Sequence, residues 1–155
     1  MNRTRLVDLV ITFVIVGVTI YALLRFSYGS IPPLGLIVPA PLAALGVAEL
    51  IAARRVRAAV RHLPNARMMP AIVIARCVAL GKASSIVGAV VAGAAGALLL
   101  RVLPDAGQVT AAANDALVAA LLFGAAVLLV VAGLALERAG IDPNRHNGQD
   151  ERGRP

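Results

Sequence analysis

Glu49 and Lys82 lie within long apolar stretches of this 155-residue chain, and that placement makes them the first candidates for chemistry. A charge held in hydrocarbon costs at least a few kcal/mol and is usually paired or functional. Each stands about one turn inside the same end of its stretch, and the two stretches are successive antiparallel helices. Equal depth makes a Glu49–Lys82 ion pair, with Arg76 close by, the natural arrangement. Asp8 and Glu137 fall on the same side nearer the surface, so every helix contributes an ionisable group to one charged layer. The leading reading of that layer is a structural clasp. The functional reading is a proton-coupled carboxylate at Glu49 or a solute anion held by Lys82.

Enzyme signatures fail one by one, so no catalytic, cofactor-binding or metal-binding residue is expected. Gly81-Lys82-Ala83-Ser84 has the look of the end of a phosphate-binding loop, but the first glycine is missing, with Arg76 in its place, and Ala follows the lysine. His62 and His146 lack ligand-spaced partners. Ser84 and Ser85 have no histidine at a comparable depth to act as base, and bonding to backbone within the helix is the expectation for them. Cys77 is the sole cysteine and reads as a small apolar residue at a helix end.

The elements that must position these residues are four apolar stretches, Leu6–Leu24, Ile31–Ala53, Ala83–Leu100 and Ala116–Leu136. Each approaches the roughly 20 residues that a helix needs to cross about 30 Å of hydrocarbon. In lipid an unpaired backbone group costs several kcal/mol, which leaves only helices or a closed barrel, and no stretch alternates with period two. A hydrophobic fraction of 59% and a mean hydropathy of +0.84 exclude an ordinary soluble domain. The net charge of +7 is unevenly placed: Arg25 and Arg101 lie on one side of the four stretches, and the other thirteen of fifteen basic residues lie on the opposite side. By the positive-inside rule both termini are cytoplasmic and the membrane is crossed four times, and the bias of 14 Arg to 1 Lys with the Ala/Val/Gly richness fits a GC-rich bacterial source. That placement favours anionic lipid headgroups at the basic loop over nucleic acid. Arg3 and Arg5 before an apolar run resemble a signal peptide, but no small-residue cleavage site follows Leu24, so a retained first helix is expected.

The fold expected is therefore an all-α, four-helix antiparallel transmembrane bundle over residues 1–140, with a disordered cytoplasmic tail over 141–155. The short link Arg25–Ser30 makes the first two spans a hairpin. Pro32, Pro33, Pro39 and Pro41 break or kink helix two, regular helix starting near Pro41. Arg54, Arg57 and Arg61 share one face where helix two continues beyond the bilayer. In helix three, Ser84, Gly88, Ala92 and Gly96 recur every four residues, a stripe that lets backbones approach and places this helix at the bundle centre or at a dimer interface.

Tyr28-Gly29-Ser30-Ile31-Pro32-Pro33, Ala48-Glu49-Leu50, Arg54-Arg55-Val56-Arg57, and above all Ala75-Arg76 with Ala79-Leu80-Gly81-Lys82-Ala83-Ser84-Ser85, give the chain a resemblance. From about Thr4 to Glu137 it resembles a small actinobacterial membrane family, domain of unknown function 3180. The resemblance implies a four-helix plasma-membrane protein with no assigned activity, often encoded near folate-synthesis genes. The family pattern has Ala where this chain has Gly81, a mild departure that leaves the charge of Lys82 unaffected. The function expected is a non-catalytic membrane scaffold or accessory protein, with a membrane protein or a second copy as partner. The alternative is a small-solute transporter or channel acting as an oligomer.

Overall fold

The computed structural model describes residues 5–27, 35–61, 69–105 and 110–140, and the described residues are helical with no strand. The helices are α1 (Leu6–Ser27), α2 (Pro39–Val60), α3 (Ala71–Val102) and α4 (Thr110–Ala139), with a short 3-10 turn at Leu103–Asp105. Three segments, Leu6–Phe26, Ala71–Val102 and Ala112–Ala139, are long and apolar enough to cross a membrane. Helix α2 equals α1 in length but carries Glu49, Arg54, Arg55 and Arg57.

Local chemistry explains the helix ends. In α1, rich in β-branched residues, the hydroxyls of Thr12 and Thr19 donate to the carbonyls of Asp8 and Ile15, each at 2.8 Å, so neither is left unsatisfied in an apolar setting. Regular helix in α2 begins at Pro39, earlier than expected, because Pro39 and Pro41 occupy the first turn, where a missing N–H costs nothing. From there α2 is assigned as helix without interruption to Val60, while Pro32 and Pro33 lie outside the described residues, as does the tail 141–155. Helices α3 and α4, of 32 and 30 residues, outrun their apolar cores at both ends. At about 1.5 Å per residue they reach about 48 and 45 Å. They take up most of residues 101–115, which separate the third and fourth apolar stretches, leaving 106–109 between the 3-10 turn and α4.

The helices pack in the order α1, α3, α4, α2. Helix α3 lies between α1 and α4, and α2 packs on α4 with a small contact to α3. The hairpin expected of spans one and two does not form: α1 and α2 do not approach each other. The link between them is residues 28–38, long enough to span about 35 Å, so it imposes no contact, and packing faces decide instead. Directions follow from paired neighbours. Gly81 of α3 meets Gly133 and Leu136 of α4 whereas Gly88 meets Ala126 and Val130, so α3 and α4 run in opposite senses. Gly46 of α2 meets Leu128 and Val56 clusters with Leu136 and Ala139, so α2 and α4 run the same way. Phe13 of α1 meets Gly93, and Leu24 clusters with Leu98 and Val102, so α1 follows α3.

Glycine sets how close the backbones come. A Cβ on Gly81 would lie 2.6 Å from the Gly133 carbonyl oxygen, and one on Gly133 would lie 2.5 Å from that of Gly81. A Cβ on Gly93 would lie 2.6 Å from the Phe13 carbonyl oxygen and 3.1 Å from the Gly17 nitrogen. At these crossings dispersion contacts between main chains replace side-chain interdigitation, the device by which helices associate where lipid tails offer no hydrophobic gain. The departure at Gly81 is therefore a packing matter: an Ala there presses on the α4 backbone.

Candidate functional site

Four buried polar side chains stand out among the described residues, Glu49, Ser84, Ser85 and Glu137, and all lie in the half of the α2, α3 and α4 assembly nearest the arginines. Helix α2 brings Glu49 to α3, where one carboxylate oxygen, Oε1, accepts the hydroxyl of Ser84, in place of the backbone bond expected of that serine. The second oxygen, Oε2, is buried and accepts no hydrogen bond. Ser85 Oγ donates to the Lys82 carbonyl at 2.9 Å, the backbone bonding expected of it. Glu137 is buried on the α3 side of α4, its backbone nitrogen 3.0 Å from where a Gly81 Cβ would stand.

The ion pair expected between Glu49 and Lys82 is replaced by this hydrogen bond. Lys82 precedes Ser84 by two residues, about 200° round the helix, so once Ser84 faces α2 the lysine stands on the far side of α3. It is half-buried there, an arrangement that lets a long stem lie on apolar surface while its ammonium reaches toward water. Arg76 is exposed. Glu49 meets α3 within a turn of Lys82, and helix phase is what separates the two. The signal for Ser84 was present, since it belongs to the four-residue stripe, but that stripe read as packing alone.

The stripe itself divides between neighbours. Ser84 serves α2, Gly88 abuts Ala126 and Val130 of α4, Ala92 is buried, and Gly96 is half-buried with Phe123 and Phe13 at 3.5 and 3.7 Å from a Cβ placed on it. Phe13 and Phe123 meet edge to face with ring centres 6.3 Å apart, in the geometry aromatic quadrupoles favour. They border an open apolar cleft of about 420 Å³ between α1 and α3, lined also by Gly17, Val18, Gly93 and Leu100. Cys77 is half-buried against the Ala53, Val56, Leu136 and Ala139 cluster. No group of three metal-ligating side chains occurs among the described residues.

All-helical structure, three helices of membrane length and a polar layer recessed between helices define the class, a transmembrane helical protein. Within that class the chain belongs to the family described as protein of unknown function, DUF3180, whose model matches residues 9–143. Comparison with curated proteins and with solved structures gives no match.

Proposed function

We propose that this protein is a non-catalytic membrane scaffold or accessory subunit whose four helices all cross the plasma membrane, with both termini in the cytoplasm. The observation that carries the reading is the set of glycine crossings, Gly81 on Gly133 and Gly93 on Phe13 and Gly17, which close the helix seams at backbone distance. The α3–α4 seam is closed in this way, and the cleft that remains between α1 and α3 is lined by apolar residues, which favours packing over a polar path. The alternating helix directions place the N-terminus of α1 and the C-terminus of α4 at one end, the end that also carries Arg54, Arg55, Arg57, Arg76 and Arg138. The positive-inside rule makes that end cytoplasmic. Helix α2 has the length of a span, and its single carboxylate is bonded to α3. Glu49 acts here as a clasp that fixes α2 on α3, and the partner is a membrane protein seated on the outer helix faces.

Affinity purification of the full chain from its own membranes in mild detergent tests this. A co-purifying integral membrane protein at near-equal amount is the expected result, and a chain recovered alone from gently solubilised membranes contradicts it. A second reading, an oligomeric small-solute transporter, is favoured by one observation, the unbonded Oε2 of Glu49. In that case Glu49→Gln abolishes proton-coupled flux in proteoliposomes while the fold is retained. A scaffold shows no such flux in the parent.

A further inference from the structure

The basic residues of α2 are not spread evenly round the helix. Glu49 marks the direction of α3 and Gly46, about 60° further round, marks the direction of α4. Arg57, Arg61 and Arg54 follow at about 80°, 120° and 140° in the same sense, on the flank beyond α4 and turned away from α3. All three are exposed. Arg138, exposed on α4, stands at the same level, because Val56 packs with Leu136 and Ala139. Among the described residues the exposed acid at this end is Asp8, and it belongs to α1, which does not approach α2. Toward the middle of the same flank the surface turns apolar: Leu50 lies one to two turns in from Arg54 and Arg57, and Val47, 49% exposed, lies beyond it.

A row of exposed guanidinium groups directly above an apolar strip, half-buried at Leu50 and exposed at Val47, is the profile of one kind of partner. Phosphate matches the planar fork of arginine, and acyl chains match the strip below, whereas a soluble acidic protein or a nucleic acid would leave the strip uncovered. We propose that the α2 flank carrying Arg54, Arg57 and Arg61, assisted by Arg138, is a binding site for an anionic phospholipid, phosphate on the arginines and tails along Leu50 and Val47. The inference rests on the four-span reading, and it locates lipid recognition on a helix face rather than in the loop that follows.

The test is native mass spectrometry of the full chain in detergent, titrated with phosphatidylglycerol or with phosphatidylcholine of identical tails. The parent binds phosphatidylglycerol at least about tenfold more tightly, given the contribution of each arginine near an anionic group. The variant Arg54→Gln/Arg57→Gln/Arg61→Gln loses that preference. A control with equal charge loss on other faces of the same end, Arg5→Gln/Arg55→Gln/Arg76→Gln, keeps it. Equal losses in the two triple variants, each melting like the parent, would overturn the site in favour of diffuse attraction. No preference in the parent would overturn it outright. A cytoplasmic C-terminal reporter in the on-face variant separates these outcomes from a failure of the four-span reading, which instead puts that reporter outside.

Discussion

Replacing Gly81 by Ala adds one methyl group to the tightest backbone-to-backbone crossing among the described residues. The new Cβ would stand 2.6 Å from the Gly133 carbonyl oxygen and 3.0 Å from the Glu137 nitrogen, so it falls about 0.8 Å short of the 3.4 Å at which ordinary contact begins. Both obstacles are backbone, and neither yields by a rotamer change. The helices must separate, and overpacking of this kind costs about 1–3 kcal/mol. Opposing it, Ala is the better helix former by about 0.5–1 kcal/mol, a gain that Gly124→Ala isolates because nothing lies within 4 Å of a Cβ there. Thermal unfolding in a mild detergent should therefore show Gly124→Ala at or slightly above the parent and Gly81→Ala below it. Gly133→Ala, with a Cβ 2.5 Å from the Gly81 carbonyl oxygen and 2.8 Å from the Ser85 nitrogen, should fall at least as far. Because one separation accommodates both methyl groups, the double variant should lose less than the two single losses added. Gly81→Ala and Gly133→Ala melting with Gly124→Ala would refute the close crossing and, with it, the assignment of α3 against α4.

Ser84→Ala should destabilise the protein by about 1–3 kcal/mol, since it leaves a buried carboxylate without a donor, whereas Lys82→Ala, on the other side of α3, should be mild. A double-mutant cycle between Glu49→Ala and Ser84→Ala, read by detergent melting, should give a coupling of about 0.5–3 kcal/mol, and one between Glu49→Ala and Lys82→Ala should give almost none. Gly93→Leu should release α1 from α3, raising the accessibility of Phe13 neighbours to cysteine labelling at Val16, while α3 and α4 remain paired.

The helical architecture was legible in the sequence because hydrophobic length and backbone satisfaction leave few choices. Helix α3 does carry neighbours on two sides, α1 and α4, as α4 also does with α3 and α2. What remained hidden was phase and partner choice. Level along a helix can be read from residue counting, and Glu49 does meet α3 two residues from Lys82, but facing direction depends on which neighbour each helix selects. The selection of α3 by α1, and of α4 by α2, turns on isolated glycines, Gly17 and Gly93 in the first case and Gly46 in the second, whose partners lie on non-adjacent segments. Each such glycine costs about 1 kcal/mol of helix stability, which was the available hint that a close packing contact repays it. The link after α1 looked short because helix two was read from Ile31. Proline chemistry puts its regular start at Pro39, and the extra residues free α2 to pack elsewhere.

The role of α2 as a fourth crossing is the step on which the scaffold reading depends, because with three crossings the basic ends of α1 and α4 would lie on opposite sides of the membrane. A reporter fused after Pro155, one that is active only in the cytoplasm, addresses it directly when paired with a matching reporter active only outside. Activity of the cytoplasmic reporter alone is the predicted result. Activity of the external reporter alone would contradict the account, leaving α2 on the membrane surface and its arginines without the placement argued for them.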